Sequence, residues 1–494
     1  MKKIIFWLDK ELSRFGIAKE IKDSFDCELF SIIDTTNKPK EFFENQKIIK
    51  FEKKWFYHDH IKKTNSNIDT NYLKTFEKKY GIDLWLLASN ERIFFLFNEF
   101  YKFQEEEVLK ILEQECKLFE SILDEVKPDC VSLPTPALHH CYLFYLICKA
   151  RNIPTVILQM TRIANRCIIS NKMESIGYEG QRTSKKRSLE ELLQFRNQSN
   201  IYNQSEKFRS RFQSSKNGLL KSALKFLTSE NSNMKTHYTY YGRTKSKVLT
   251  NYIKNSLKAK IRKSYIDNNL LKEINFKKPF IFFPLHVEQE HSLLNVAPFY
   301  INQIEVIKNI AKALPIGYDL VVKEHPTMFA REWRKISDYK ILKSIPNVKL
   351  LHPSVPPTNI LKKCSMVITI SGTAAFEIGF YKKPAIIFSD TAFTELSWIK
   401  RLQSFENLSQ TIKKLLDSKM DFDDLNDYID YIDKNTFEHD HDNFAQDSQD
   451  FFHYGGFLVD VKISENNMNN FLKLHKSTLQ KVAFEHIKKF KEVC

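Results

Sequence analysis

The sequence predicts an α/β fold built from two Rossmann-like lobes, whose parallel sheets face a cleft, with a basic helical insert between the lobes. Short apolar runs alternate with helical periodicity through residues 1–170 and again through 276–400. Strands separated by helices are typical of βαβ crossovers and of parallel sheets. Residues 171–275 lose this alternation and become polar and basic. We therefore predict an N-terminal lobe, an insert or linker, a C-terminal lobe and, over 401–494, a helical extension.

Each predicted strand is an apolar run bounded by polar or turn-forming residues. The run that starts at Ile4 stops at Asp9, which is too early for a signal peptide and is typical of a first strand. The predicted strands are residues 4–8, 27–33, 130–133, 155–158, 279–285, 319–323, 348–351, 366–370 and 385–388. The predicted helices are residues 10–25, 105–125, 139–151, 188–195, 219–226, 244–263, 300–314, one that starts near 330, 360–364, 374–381 and 467–489.

The composition excludes several classes of protein. With 42% hydrophobic and 28% charged residues, the chain is expected to be globular rather than disordered or fibrous. Its apolar stretches fall short of the ~18 residues that a membrane-spanning helix needs. The eight cysteines show neither a C-x-x-C pair nor a zinc spacing. We expect reduced cysteines in a cytoplasmic protein that can associate peripherally with the inner membrane.

The positive charge is concentrated in the insert. The net charge is +16, from 76 Lys and Arg against 60 Asp and Glu, and residues 182–263 hold 20 of the basic and 4 of the acidic residues. A local basic patch predicts an anionic partner, either a membrane surface carrying a lipid-linked acceptor or an acidic glycan, and a solvated lysine-rich face is the alternative. The balanced remainder argues against a protein that coats nucleic acid, so no nucleic-acid partner is expected.

A turn after one predicted strand carries the strongest chemical signal. Ser371 ends the strand, Gly372 allows a tight turn, and Thr373 opens the next helix. Free backbone N–H groups, the helix dipole and two hydroxyls would together bind an anion such as a phosphate. Glu377, one turn later, could accept hydrogen bonds from ribose hydroxyls. The alternative interpretation is an ordinary capped turn.

A second polar group follows the apolar strand over residues 319–323. Lys323, Glu324 and His325 stand at its carboxyl end, and Pro326 stops the strand. Three polar side chains at the mouth of an apolar strand suit contact with an anionic, hydroxylated ligand. A solvated Lys–Glu pair beside a strand-end histidine is the alternative. Neighbouring strands of one sheet would direct this group and the Ser371 turn to one site.

Four residues are candidates for the acceptor side of a reaction. His286 and Glu290 lie in the loop after the first strand of the second lobe. Asp9 and His139 lie near the carboxyl ends of predicted strands in the first lobe. Each could act as a general base, and a capping or surface role is the alternative for each.

Two further groups of residues receive less weight. Arg162 and Arg166 follow the strand over residues 155–158 and could bind an anionic donor or acceptor, with a solvated basic turn as the alternative. The segment 438–442 alternates acids with histidines, but no strand precedes it, so it is interpreted as a solvated loop. No metal site is predicted.

Taken in order, the motifs resemble those of the capsule polysaccharide synthesis family, which contains Kdo transferases. The residues that carry the resemblance are Pro284-Leu285-His286 with Glu290, Lys323-Glu324-His325-Pro326, Ser371-Gly372-Thr373 with Glu377, and Lys383-Pro384. The His-Pro and Ser-x-Thr pair is also similar to motifs of bacterial GT-B sialyltransferases. The resemblance covers residues 280–390 and, more loosely, 120–170. The His286 loop departs from the Gln-containing version of Kdo transferases, which leaves the donor sugar open.

The resemblance implies a GT-B-like, inverting, metal-independent glycosyltransferase. Its donor would be a CMP-activated acidic sugar such as Kdo or a nonulosonic acid, and its acceptor a capsular or other surface glycan, free or lipid-linked. The C-terminal lobe would bind the donor, with His325, Ser371 and Thr373 on the nucleotide and its phosphate and Glu377 on the ribose. No cofactor is expected beyond the nucleotide-sugar co-substrate.

Three other functions stay open at this point. The same anion-binding turn would serve a GT-B-like polyol-phosphate transferase or a sugar-nucleotide epimerase, because it suits any nucleotide. A non-catalytic assembly scaffold could retain the fold. The basic insert leaves a nucleic-acid-binding protein as the third possibility, although the sequence has no RNP, zinc or helix-turn-helix pattern.

Overall fold

The two predicted lobes are both present, each with helices packed against a central sheet. The computed structural model describes residues 1–64, 67–173, 175–197, 224, 226–228, 237–331, 333–418, 423–453 and 461–494. The predicted α/β class with two Rossmann-like lobes is therefore confirmed.

The strands form two sheets. They are β1 Lys2–Asp9, β2 Cys27–Asp34, β3 Lys53–Phe56, β4 Cys130–Leu133, β5 Thr155–Met160, β6 Arg166–Ser170, β7 Phe280–Pro284, β8 Asp319–Lys323, β9 Val348–Leu351, β10 Met366–Thr369, β11 Ala385–Ile387, β12 Ile399–Arg401 and β13 Phe437–Glu438. The first sheet has the order β13-β6-β5-β4-β1-β2-β3, and the second has the order β12-β11-β10-β7-β8-β9. The second sheet is parallel throughout. The first ends in the antiparallel pairs β5–β6 and β6–β13.

Helices connect the strands and cover the sheets. The α-helices are α1 Ser13–Ser24, α2 Asn37–Asn45, α3 Tyr57–His60, α4 Thr70–Tyr80, α5 Leu84–Ser89, α6 Glu105–Val126, α7 His139–Ala150, α8 Leu189–Asn197, α9 Lys245–Asn269, α10 His291–Leu294, α11 Gln303–Ala313, α12 Ile336–Lys343, α13 Pro357–Lys363, α14 Ala374–Glu377, α15 Leu408–Asp417, α16 Asp423–Asn435, α17 His441–His453, α18 Glu465–Leu474 and α19 Lys476–Val493. Short 3₁₀ helices cover Tyr238–Tyr240, Pro298–Tyr300, Pro326–Arg331 and Ile378–Tyr381, and a π-helical turn covers Arg92–Leu96.

The core lies on both faces of each sheet, which explains the unbroken apolar runs in the sequence. In β1, Ile5 and Trp7 face one hydrophobic cluster, whereas Ile4, Phe6 and Leu8 face another on the opposite side. Because every side chain of such a strand is buried, the sequence shows no polar alternation.

The C-terminal segment divides between the lobes. Helices α15 and α16 pack into the core of the second lobe. Beyond them, β13 joins the first sheet, and α19 packs on α1, where a Cβ on Gly16 would lie 2.9 Å from Leu479 Cδ2. The boundaries at 170, 275 and 400 stay predictions, but residues 437–453 and 461–494 are part of the first lobe rather than a free extension.

The insert is only partly described. Helices α8 and α9 confirm the helices predicted over 188–195 and 244–263, whereas the one predicted over 219–226 lies largely outside the described residues. The sequence analysis missed β3, β6, β12 and β13, because these strands are short and lie at or next to a sheet edge. In β3, β12 and β13, exposed charged residues also break the apolar run. Within the described ranges, no helix combines the length and the apolar character needed to cross a bilayer.

Candidate functional site

The candidate site lies where the winding of the second sheet reverses. The chain runs outward from β7 through β8 to β9, then returns to start again at β10 on the other side of β7. In such sheets the crevice beyond the carboxyl ends of these two central strands is where ligands bind. The loop containing His286 leaves β7 at this crevice, and the turn from Ser371 to Thr373 leaves β10 there. The His286 loop and the Ser371 turn, which were identified separately in the sequence, therefore lie at the same crevice.

The contacts between these two loops are direct. His286 Nε2 lies 2.9 Å from Thr369 Oγ1, and the Gly372 N–H donates to the same hydroxyl over 3.2 Å. A Cβ on Gly372 would lie 2.7 Å from Thr369 Oγ1 and 3.2 Å from His286 Cε1, so this close approach requires glycine. The buried Ser371 Oγ has no hydrogen-bond partner among the described residues. A buried hydroxyl in this condition is available to a ligand.

The helix after this turn is shorter than predicted. In place of one helix over residues 374–381, α14 has four residues and continues as a 3₁₀ turn. Its dipole is correspondingly small, so anion binding here would depend on hydroxyls, N–H groups and nearby cations. Glu377 pairs with Arg196 of the insert at 3.3 Å, and burial raises the pKa of its carboxyl group. This Arg196 contact could not be predicted from the sequence, because the two residues are 181 positions apart.

The Lys323 group lies on the strand beside β7. Burial lowers the pKa of Lys323 to about 8. Burial, reinforced by the charge of Lys323, lowers the pKa of His325 to about 4, so this imidazole is neutral at pH 7. His325 Nδ1 accepts from the Thr327 N–H and lies 2.8 Å from the Thr327 hydroxyl, which leaves Nε2–H as a donor toward a ligand. His286 is a second neutral imidazole at this edge of the sheet, because burial lowers its pKa to about 3.

Glu324 has a different role from the predicted ligand contact. Its buried carboxylate accepts from Arg334 Nε at 3.0 Å and from the Tyr339 hydroxyl at 2.6 Å. The same guanidinium also donates to Glu288 and to the carbonyl oxygen of His286. Arg334 thus ties the His286 loop to the end of β8, and both Glu324 and Arg334 are positioning residues.

A cavity in the first lobe lies at the corresponding reversal. The register of β1 and β2 places Asp9 beside Asp34 at the carboxyl edge, and both line a cavity of about 260 Å³. Burial, together with the charge of Glu11, raises the pKa of Asp9 to about 7, although Arg14 opposes the rise. His439 also lines this cavity and is buried, so the prediction of a solvated loop over 438–442 was wrong for this residue.

His139 does not fit the predicted role of a base. It is 1% exposed, and its two ring nitrogens lie 2.9 Å from Glu91 and 3.0 Å from Glu115. Burial lowers its pKa, but these two carboxylates outweigh burial and raise it to about 10. An imidazolium enclosed in this way can neither reach a substrate nor accept a proton, because both nitrogens already carry one.

The two arginines that were predicted to bind an anion, Arg162 and Arg166, have different surroundings. Arg166 donates to Thr436 Oγ1 at 2.7 Å and to the Asp433 carbonyl oxygen at 2.8 Å, so its guanidinium holds the segment that leads into β13 rather than an anionic ligand. Arg162 is exposed, and its guanidinium lies 4.0 Å from the carboxylate of Asp442. Its proposed contact with an anion stays a prediction.

The facing loops of the two lobes touch. Asn295 Nδ2 of the second lobe donates to the Pro136 carbonyl oxygen at 2.9 Å, and the rings of His291 and Tyr142 lie 6.5 Å apart. Glu290 is exposed next to this contact. Since the loop over residues 134–138 also lines the Asp9 cavity, the carboxyl edges of both sheets face the same cleft.

A comparison with known proteins identifies the family to which the chain belongs. Among solved structures, the chain is similar to the S. aureus MnaA–UDP co-structure (14% identity over 92% of this chain and 97% of that one, TM-score 0.25). It is also similar to the Thermosulfurimonas dismutans KpsC beta Kdo 2,7 transferase (12% identity over 63% and 78%, TM-score 0.30). No curated protein matches the sequence. The family model described as "Capsule polysaccharide biosynthesis protein" matches residues 172–422, just over half of the chain, and the chain belongs to that family.

Replacing Arg334 by methionine should lower the free energy of unfolding by about 3 kcal/mol, because it leaves the carboxylate of Glu324 buried and unpaired. Denaturant unfolding of the full chain measures the change. Arg401→Met is the matched control: Arg401 pairs with Asp390 at 2.9 Å on the exposed surface, and its loss should cost no more than about 1 kcal/mol. Equal effects of the two substitutions would contradict the positioning role of Arg334.

Proposed function

We propose that this protein is a glycosyltransferase that moves a sugar from a nucleotide-activated donor to a capsular or other surface polysaccharide. The observation that carries the proposal is the unpartnered hydroxyl of Ser371 at the reversal point of the second sheet. Neutral His286 follows the adjacent strand β7, and the ammonium of Lys323 and the donor Nε2–H of His325 stand at the end of β8, the next strand of the sheet. Membership of a capsule polysaccharide biosynthesis family supports the same class of substrate.

The donor is a CMP-activated acidic sugar such as Kdo or a nonulosonic acid. The hydroxyls of Ser371 and Thr373 and the ring N–H of His325 contact its phosphate, and the Lys323 ammonium supplies a positive charge. A single phosphate carries less charge than a pyrophosphate, so one lysine and neutral donors suit it without a catalytic metal ion. Glu377, held by Arg196, accepts hydrogen bonds from the ribose.

The transfer inverts the anomeric centre. Asp9 removes the proton from the acceptor hydroxyl while that oxygen forms its bond to the anomeric carbon. The bond between this carbon and the phosphate oxygen breaks, and CMP leaves with the electron pair on its phosphate, where the donors of the Ser371 turn stabilise the charge. Asp9 is preferred to His286 and Glu290 because its pKa of about 7 is closest to the working pH.

In a thermal-shift panel, CMP should raise the Tm of the full chain more than UDP, GDP or CDP, because a ligand that binds only the folded state stabilises it by mass action. Ser371→Ala should weaken CMP binding about tenfold or more, since it removes a hydrogen bond to a charged oxygen. Ser365→Ala, next to the opposite end of the same strand, is the control and should bind normally.

Two results, one from this panel and one from a turnover assay, would count against the proposal. A rise in Tm with UDP and none with CMP would contradict the CMP-activated donor and favour the epimerase alternative. Turnover that stays normal after both Ser371→Ala and His325→Ala would show that the transfer does not use this site.

The pH dependence of transfer should report the ionisation of Asp9. A base must be deprotonated to act, so kcat/KM should rise with pH through about 7 and level off above it. Asp9→Asn should lower the rate by about 10²–10⁴-fold. Glu11→Gln should move the acidic limb to lower pH, because the charge of Glu11 contributes to the raised pKa. Asp23→Asn, on the exposed face of α1, is the control, and an unchanged limb in Glu11→Gln would refute the assignment.

The insert binds the anionic membrane surface that carries a lipid-linked acceptor. Helix α9 has seven basic residues and one acidic residue. One side of it exposes Ile253, Leu257 and Ile261, which are 59%, 56% and 63% exposed and lie four residues apart. Basic helices with an exposed apolar stripe lie in the interface of anionic bilayers.

Replacing these three apolar residues of α9 by serine should reduce binding to phosphatidylglycerol vesicles about tenfold or more, because their burial in the bilayer is lost. Vesicle co-sedimentation measures it, and the CMP-induced Tm shift should not change. The double variant Leu474→Ser and Phe484→Ser, which alters exposed apolar residues elsewhere, is the control. Undiminished vesicle binding by the triple variant would leave the insert as a spacer.

A further inference from the structure

A buried cluster of carboxylate and imidazole side chains, which includes Asp34, lies in the interior of the first lobe. Its members come from β2, α3, α6, α7 and the residue before the π-helical turn, and they are Asp34, His58, Glu91, Glu115, His139 and His140. Glu115 is 0% exposed, and His139 and His140 are each 1% exposed. So many ionisable groups are costly to bury unless their charges are balanced.

Each of two adjacent histidines has one nitrogen fixed by a carboxylate. His139 Nδ1 lies 2.9 Å from Glu91 Oε2, which also accepts the backbone N–H of His139 at 2.8 Å. His140 Nε2 lies 2.8 Å from Asp34 Oδ2. Histidines that bind metals usually donate their second ring N–H to a carboxylate in this way, which fixes the ring and makes the other nitrogen a better ligand.

The second ring nitrogens of His139 and His140 and the carboxylate of Glu115 lie close together. His139 Nε2 lies 3.0 Å from Glu115 Oε1, whereas His140 Nδ1 and Glu115 Oε2 are buried without a hydrogen-bond partner among the described residues. One ligand atom from each of these three side chains lies within 4.8 Å of the other two. When His139 donates from Nδ1, its Nε2 and the glutamate oxygen are both acceptors, so their contact needs a proton or a cation between them.

We propose that His139, His140 and Glu115 bind a divalent transition-metal ion of the zinc type in the interior of the first lobe. Two imidazole nitrogens and one carboxylate oxygen are a ligand set that zinc accepts and that magnesium and calcium do not favour. The ion satisfies both unpartnered atoms. Its two positive charges also offset two of the three carboxylates of the cluster.

The site departs from the expectation that the chain holds no metal. Cysteine and histidine spacing could not predict it, because the third ligand lies on α6, 24 residues before His139. The ion joins α6 to α7 and has a stabilising role, so it does not depend on the proposed transfer reaction.

The test uses the full chain without a polyhistidine tag, expressed in zinc-supplemented medium. Elemental analysis should find one metal ion per chain. Removal with EDTA should lower the Tm, one equivalent of Zn²⁺ should restore it, and one equivalent of Co²⁺ should give visible absorption from nitrogen and oxygen coordination. None of these measurements requires glycosyl transfer, so they are independent of the proposed function.

Variants then locate the ion. His140→Ala and Glu115→Gln should each lose the metal and the response of the Tm to Zn²⁺, whereas Glu113→Gln should retain both. Glu113 is on the same helix, where it pairs with Lys110 and Lys117 outside the cluster. If the unaltered chain carries no stoichiometric metal and its Tm ignores both EDTA and Zn²⁺, the cluster holds protons only and the proposal fails. Metal retained by both cluster variants would also overturn it.

Discussion

The reversal of winding at the centre of each sheet is the constraint on which the rest of the structure depends. Parallel strands need right-handed crossovers, so a chain that builds outward from one strand must return to the centre before it builds the other half. This return leaves a crevice between β7 and β10 in one lobe and between β1 and β4 in the other. The Ser371 turn and the Asp9 cavity lie at these two crevices.

Burial sets the protonation states at both crevices. It keeps His286 and His325 neutral, which makes them hydrogen-bonding groups rather than charges, and it brings Asp9 to a pKa near neutrality. Lys323 remains the positive group of the donor side at neutral pH, since its lowered pKa of about 8 is still above 7. A site with one lysine and several neutral donors suits a ligand of modest negative charge.

Much of the fold and part of the candidate site followed from the sequence alone. Apolar runs that stop at polar residues located the central strands, and strand ends brought Ser371 and His286 together, because carboxyl ends of parallel strands share one edge. The role of Arg334 could not be predicted, because its partners Glu324, Glu288 and the carbonyl oxygen of His286 lie 10, 46 and 48 residues away along the chain. The position of His439 depends on pairing between β13 and β6, which are 267 or more residues apart and carry no local pattern.

The return of the C-terminal segment has a consequence for the order in which the molecule forms during synthesis. The core of the first lobe includes Leu479 and Phe490, which leave the ribosome after the entire second lobe. The lobe that begins first is therefore completed last, and β1 must wait for partners made more than 400 residues later. Among the described residues, Leu192 packs in the second lobe, Tyr238 in the first and Ile266 in the second again. The chain returns to the first lobe between α16 and β13, so an opening of the cleft must bend several connections together.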